Sequence, residues 1–136
     1  MIPIDMLFDT SMIVDIFRNC QAAIDWLKSE SDKNIGISGF TVFEILQGSR
    51  NKGEMLSLQK KLEKFPIFWP SEDDCNQALI TFANLSLSHG VGALDVLIAY
   101  TAIGLDIPIV TLNEKHFKPI TGLNSIIPYS SDRRGK

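Results

Sequence analysis

Positive charge, thiols, imidazoles and long apolar runs are all in short supply in this chain. Its 136 residues hold 13 Lys and Arg against 16 Asp and Glu, a net charge of −3. That balance argues against a general nucleic-acid coat, though it leaves room for a local basic patch. Arg50 and Lys52, continuing into Lys60, Lys61 and Lys64, would make one; for the lysines alone a solvated helix face is the simpler reading. The only cysteines, Cys20 and Cys75, stand in separate helical patterns, too few for a disulfide scaffold, and both are expected as core filler. With only His89 and His116 to join them, and no paired ligand spacing, a structural zinc site is not expected. No apolar run approaches the roughly 20 residues of a membrane span. The opening "MIPIDMLFD" carries Asp5 and no basic stretch, so no signal peptide is expected and the reading is cytoplasmic. Repeats and low-complexity linkers are missing too, so one domain is expected over residues 1–130. The tail "SDRRGK" at 131–136 is expected to be disordered.

The chain does have ordinary globular composition, 45 % apolar and 21 % charged, and a clear alternation of patterns. Residues 4–8 read as a strand, 11–19 as a helix with Met12, Ile13, Ile16 and Phe17 on one stripe, and 21–29 as a second helix. "NIGISG" reads as a strand, and "FTVFEILQG" as a helix stopped by Gly48. From Gly53 to Phe65 the spacing predicts an amphipathic helix, with Met55, Leu58, Leu62 and Phe65 inward and Lys60, Lys61 and Lys64 outward. "PIFWP" reads as a strand. Ser71 with Asp74 forms a capping box for a helix that Gly90 ends. "GALDVLIAYTAIGL" is a further helix, "IPIVTL" a strand, "EKHFKPI" a helical turn and "SIIPYS" a last strand. Strands alternating with helices predict an α/β three-layer sandwich, a mostly parallel central sheet flanked by helices. "IDMLF" and "IPIVTL" are apolar throughout, as strands covered on both faces are.

In such a fold the carboxyl ends of strands and the amino ends of helices share one edge, where ligands bind. Asp9 ends the first strand, Glu44 lies early in the helix after the second, and Asp95 lies in the first turn of the helix starting near Gly92. Thr111 and Asn113 close the strand "IPIVTLN". Each acid also has a plain structural reading. Asp9 can be the N-cap of the helix that follows; Glu44 can sit on a polar strip with Thr41, Gln47 and Gly48; Asp95 can answer its helix dipole. Against that, Ala99 and Ala102 continue the Asp95 face and predict close approach of another element. Three carboxylates at one edge would raise one another's pKa unless a cation neutralised them. Oxygen ligands alone select a hard ion, Mg²⁺ or Mn²⁺, and such an ion serves phosphodiester hydrolysis.

"LFDTSMIVDIFR", "ISGFTVFEILQG", "GALDVLIAYTA" and "IVTLNEKHF", in that order and spacing, resemble a PIN-domain ribonuclease, specifically a VapC-like toxin of a toxin–antitoxin pair. The likeness runs over about residues 4 to 128. It implies a Mg²⁺- or Mn²⁺-dependent endoribonuclease that cuts tRNA or ribosomal RNA, held in check by an antitoxin and assembled as a homodimer. Carried over by motif, Asp9, Glu44 and Asp95 are the catalytic, metal-binding acids. Ser11 takes the place of a small polar residue, and Thr111 is a hydroxyl lining the site. The last motif often supplies a fourth acid, and Asn113 stands there, which implies weaker metal affinity but not lost activity; Glu114, the next residue, is an alternative donor, though its side chain is expected to point elsewhere. His116 is expected to pack or hydrogen-bond structurally and is left out of the catalytic set. Arg18 or Arg50 would meet substrate phosphate or an antitoxin acid. Met12, Ile13, Ile16, Phe17, Phe40, Phe43, Leu46, Met55 and Leu58 exceed what one sheet needs, a surplus that a partner helix in an exposed groove would use.

Two other readings stand beside this one. "LFDTSM" is also similar to the nucleophile motif of haloacid-dehalogenase-like phosphatases, but their mechanism needs a second aspartate where Ser11 stands. The other is a catalytically degenerate PIN-like binding module, marked by Asn113, against which the intact trio Asp9, Glu44 and Asp95 speaks.

Overall fold

Alternation along the first strand sorts the core into two halves. In the computed structural model, which describes residues 3–130, β1 (Met6–Phe8) is buried at all three positions. Met6 and Phe8 join one apolar cluster and Leu7 the other, the two-residue period of a strand covered on both faces. β1 pairs in parallel with β2 (Ile35–Ser38) and, on its other side, with β4 (Ile109–Val110). With β3 (Ile67–Phe68) and β5 (Ser125–Ile126) the sheet runs β3-β2-β1-β4-β5, every pairing parallel. The expected sandwich is therefore present, and its sheet is wholly parallel. The tail expected to be disordered lies outside the described residues.

One face carries α1 (Thr10–Phe17), α2 (Gln21–Ser29), α3 (Gly39–Gln47) and α4 (Lys52–Leu62), contributing Met12, Ile13, Ala23, Ile45 and Leu62 to the first cluster. The other carries α5 (Glu72–His89), α6 (Ala93–Leu105) and α7 (Glu114–Phe117), contributing Ala78, Ile98, Ala99 and Phe117 to the second. α5 begins at a true capping box: Ser71 Oγ accepts from the Asp74 amide at 3.0 Å, and Asp74 Oδ2 accepts from the Ser71 amide at 3.3 Å. It ends at Gly90, whose φ of 65° is the left-handed turn that glycine takes without strain. Ala99 and Ala102 are fully buried on α6, the close approach their size predicts. Ser38 Oγ at the end of β2 meets Thr101 Oγ1 of α6 at 3.0 Å, a buried polar pair that pins α6 against the sheet.

Several boundaries differ from expectation. α1 starts at Thr10 and stops at Phe17, because Arg18 leaves the helix and Asn19 turns left-handed at φ 57°. α4 stops at Leu62; Phe65 follows on a turn and packs its ring 6.5 Å from that of Phe8. "PIFWP", "IPIVTL" and "SIIPYS" pair over two residues each. The apolar surplus shrinks as well: Met12, Ile13 and Ile16 are core, while Phe43 is 61 % exposed. Cys20 is core filler, but Cys75 is only half-buried.

Candidate active site

The carboxyl edge of the sheet is built outward from Asp9. Its amide donates to the Val110 carbonyl at 2.9 Å, extending the β1–β4 pairing by one step. Its carbonyl accepts from Met12 at 3.0 Å and Ile13 at 3.3 Å, which starts α1. The main chain of Asp9 is thus fixed on both sides, while its side chain makes no helix-capping bond. The carboxylate turns instead into the protein, where the residue is only 2 % exposed. There Oδ2 accepts from Thr111 Oγ1 at 2.7 Å and from Ser11 Oγ at 2.9 Å. Ser11 Oγ in turn accepts from the Leu112 amide at 3.1 Å, and Thr111 Oγ1 from the Asn113 amide at 2.9 Å. The strand-to-helix corner after β1 and the end of β4 are laced together through that carboxylate.

These bonds favour the ionised form, and the Thr10 amide adds to them, yet burial outweighs them: the Asp9 carboxyl is held above its ordinary pKa of 3.8, with the charge of Asp95 pushing the same way. Glu44, half-buried in the second turn of α3, is also raised. Burial is the larger cause, and the charges of Asp9 and Asp95 add to it, against a bond from Thr10. Thr10 Oγ1 donates to Glu44 Oε1 at 2.5 Å and lies 3.5 Å from Thr41 Oγ1. Asp95 is partly buried in the first turn of α6. Its Oδ2 accepts a long bond from the Gly92 amide at 3.4 Å and lies 3.2 Å from His116 Nδ1 on α7.

The predicted acids thus share one electrostatic neighbourhood, and Ser11 and Thr111 touch Asp9 directly. Asn113 lies at the edge through its main chain: its amide caps Thr111, its carbonyl accepts from the His116 amide at 3.0 Å, and its side chain is exposed with no hydrogen bond among the described residues. Arg18 and Arg50 line a groove of about 570 Å³ that opens beside Glu44, together with Phe17, Leu58 and Lys61. Arg50 is committed to Glu54, with Nη2 at 2.9 Å and Nε at 3.1 Å from the same oxygen. One site residue escaped the sequence reading: Thr10 follows the first acid directly, and its signal was the adjacent pair of hydroxyls. His116, expected to pack or hydrogen-bond, has Asp95 as its partner, an identity no local pattern announces.

Among the described residues no three His, Cys, Asp or Glu side chains stand close enough to hold a metal ion as they are. The donors nevertheless suit one. They are oxygens of the kind Mg²⁺ and Mn²⁺ take, and two of the three acids are disfavoured as anions, first by burial and then by neighbouring charge, Asp9 by Asp95 and Glu44 by both Asp9 and Asp95, a penalty a divalent cation removes. Asp9, Asp95 and Glu44 are the residues that would hold it.

Comparison with known proteins follows the same line. The PIN domain family model matches residues 6–122. A toxin–antitoxin complex from Klebsiella pneumoniae superposes with a TM-score of 0.73 at 24 % identity, covering 93 % of this chain and 99 % of that one. VapBC2 from Rickettsia felis, bound to a promoter DNA fragment, gives 0.73 at 24 % identity, covering 90 % and 98 %. DNA-bound VapBC from Salmonella typhimurium gives 0.76 at 17 %, covering 93 % and 99 %. No curated protein matches the sequence. The family match runs through every strand but the last and through every residue of the candidate site, and the chain belongs to the PIN domain family.

Proposed function

We propose that this protein is a Mg²⁺- or Mn²⁺-dependent endoribonuclease, the VapC-like toxin of a toxin–antitoxin pair, acting on RNA in the cytoplasm. The observation that carries this reading is the convergence of Asp9, Glu44 and Asp95 at the carboxyl edge, where the first two are raised in pKa by burial and by the charges around them. Buried acids that disfavour one another need a cation or a proton, and a nuclease uses the cation. A bound divalent ion supplies charge stabilisation for in-line phosphoryl displacement and an acidified attacking water.

The chain's own groups do the rest. Asp9 is fixed through Oδ2 by Ser11 and Thr111, so it presents its charge without rotamer freedom. Glu44, tied at Oε1 by Thr10, is the half-exposed acid and faces the groove from which substrate would come. Arg18 and Lys61 line that groove and can take phosphate charge; Arg50 would first have to leave Glu54. The loss of the fourth acid at Asn113 lowers the negative charge by one. Family membership and the fold shared with toxins of VapBC complexes support an antitoxin partner. The exposed rings of Phe43 and Trp69, 61 % and 57 % open, fit a homodimer. No helix among the described residues is long and apolar enough to cross a membrane.

The test is sequencing of RNA ends after brief induction of the wild type and of Asp95→Ala without the antitoxin. New 5′ and 3′ ends with growth arrest in the wild type, both gone in the mutant, are expected. Equal arrest by the mutant, or arrest with no new RNA ends, rejects the assignment. Phosphomonoester hydrolysis lost in Asp9→Asn would favour the phosphatase reading in its place.

A further inference from the structure

The cations of this chain are sorted by flank. Between Lys64 and Lys115 there is neither lysine nor arginine, so α5 and α6 carry none. That flank offers a phosphate only acids, among them Glu72, Asp73, Asp74 and Asp95. The flank of α1 to α4 carries Arg18, Lys61 and Lys64, with Lys33 after α2. None of these four is ion-paired among the described residues.

Two openings lie along this flank, one on either side of the end of α4. Lys61 lines the groove beside Glu44. Lys64, about one turn further on, lines a hollow of about 650 Å³ at the amino edge of the sheet, where Lys33 is the other charge. Asp5, Asp32 and Glu63 adjoin its walls in the chain but do not line it. The rest of the lining is mainly apolar, with Leu27, Phe65 and Phe68. The Phe68 ring rests directly on Gly36, where a Cβ would come within 2.7 Å of it, so its seat is fixed. Each lysine also stands over a ring, Lys61 Nζ 5.5 Å from the centre of Phe17 and Lys64 Nζ 5.4 Å from that of Phe65. Cations alternating with aromatic faces are what a single nucleic-acid strand tracks.

We infer that the amino-edge hollow is a second RNA subsite: an unpaired base stacks on Phe68, Lys33 and Lys64 hold the flanking phosphates, and the strand passes Lys61 and Arg18 to the acidic edge. Resting on the ribonuclease reading above, this subsite separates holding the substrate from cutting it, since the hollow has no acid in its lining. An acidic protein segment would satisfy the lysines alone, whereas a nucleotide brings a flat face and a charge together. The scale agrees. From Asp5 to Asp9 the chain advances four residues at about 3.3 Å, or about 13 Å between the two edges. That is a few nucleotides, within the roughly 4–16 that a small single-strand-binding fold covers.

The experiment follows a fluorescein-labelled 12-nucleotide oligouridine and total tRNA by anisotropy in chelator, and tRNA cleavage in Mn²⁺. It compares the full chain with Lys33→Ala/Lys64→Ala, Phe68→Leu and the charge-matched Lys115→Ala/Lys118→Ala. Removing two phosphate contacts from a single strand should lower the slope of log affinity against log salt by about 1.4, with a loss of about tenfold at low salt. Phe68→Leu should cost about fivefold or more with that slope unchanged. In cleavage both variants should raise KM and leave kcat within about twofold, and the Lys115/Lys118 pair should move neither RNA by more than about twofold. Unchanged RNA binding in the Lys33/Lys64 pair overturns the inference, and so does an equal loss in the Lys115/Lys118 pair, which would reflect net charge alone. Polyglutamate that binds as tightly as oligouridine and weakens alongside it gives the hollow to an acidic protein and overturns the inference as well. Should Phe68→Leu fail to fold, the lysine pair and its salt slope decide alone. A chain that neither binds nor cuts RNA overturns the ribonuclease reading itself. Cleavage lost in Asp95→Ala but indifferent to Lys33, Lys64 and Phe68 overturns the subsite alone.

Discussion

Two aspartates bracket the first strand, and their fates are opposite. Asp5 precedes β1 at the amino edge. Its amide donates to the Asn34 carbonyl at 2.8 Å, and its carboxylate accepts from the Asn34 amide at 2.8 Å, all in contact with water. Asp9 follows β1 at the carboxyl edge, is buried, and has Asp95 close enough to raise its pKa. Both hold the main chain of a neighbouring strand through their amides, and both carboxylates accept good hydrogen bonds. What separates them is desolvation beside like charge. A carboxylate that only ties strand ends together stays hydrated; one driven inward against another acid is stable as an anion only with a cation near it. The hollow at the amino edge, about 650 Å³, is lined by Ile4, Leu27, Phe65, Pro66 and Phe68 with Lys33 and Lys64. It is no smaller than the groove beside Glu44, yet it holds no acid. Volume alone does not mark the site.

Isosteric removal of each charge is the strongest way to break this comparison. Asp9→Asn should lower RNA cleavage by about a hundredfold or more, since loss of even an outer-shell partner of a metal site costs 10- to 100-fold. Asp5→Asn should leave it within about twofold. Single-turnover cleavage of total tRNA in Mn²⁺ measures both. Comparable losses in the two variants would mean that burial at the carboxyl edge confers nothing particular.

A second prediction concerns stability without metal. In the folded chain Asp9 holds its proton above 3.8 and Glu44 above 4.5, the ordinary values that the unfolded chain keeps. The folded state therefore binds more protons than the unfolded one across the interval above those values. Stability of the ion-free protein must fall as pH rises through it. Glu54 is shifted the other way by Arg50, but it is common to every variant and cancels in differences. In chelator at neutral pH, Asp9→Asn should melt at or above the wild-type temperature, and that gap should close toward pH 4. Saturating Mn²⁺ should reverse the order: about a hundredfold excess over the dissociation constant stabilises the wild type by about 2.7 kcal/mol. Asp5→Asn should show neither the gap nor its reversal. Thermal melts at several pH values, with and without Mn²⁺, decide.

How much of this was legible beforehand varies by residue, and for physical reasons. The strand around Leu7 declares itself because a parallel strand covered on both faces must be apolar at every position, and the capping box at Ser71 and Asp74 because its two bonds join residues three apart. Asp9, Glu44 and Asp95 could be brought to one edge by strand–helix alternation alone. The ends of α1 and α4 could not be placed by periodicity, because α1 ends on a local left-handed turn at Asn19 and Phe65 turns its ring toward Phe8 beyond the end of α4. Nor could the Thr10–Glu44 bond or the reach of His116 to Asp95 be foreseen. Both depend on how α1 meets α3 and how α6 meets α7, distances set by packing across 34 residues in the first case. The apolar surplus divides for the same reason: Met12, Ile13 and Ile16 fill a core on their own face of the sheet, whereas Phe17 and Leu58 line the open groove, and only tertiary structure tells the two apart.

The two hydroxyls that serve the acids give the finest test. Thr111 is fully buried and donates to Asp9 Oδ2 while accepting from the Asn113 amide. Thr111→Val keeps the shape, removes the shorter of the two hydroxyl bonds to Asp9 Oδ2 and strands the Asn113 amide, so it should cost about 1–3 kcal/mol of stability and about tenfold in cleavage. Thr10 donates to Glu44, whose carboxylate is partly open to water. In Thr10→Val a water molecule can take over the lost bond, so the expected losses are below about 1 kcal/mol and about threefold. The inequality follows from burial alone, since both threonines donate to a carboxylate at short range. Urea melts and cleavage rates of the two valine variants measure it. Equal losses would show that Glu44 is as sealed from solvent as Asp9, and the contrast between a fixed inner acid and an open outer one would have to be abandoned.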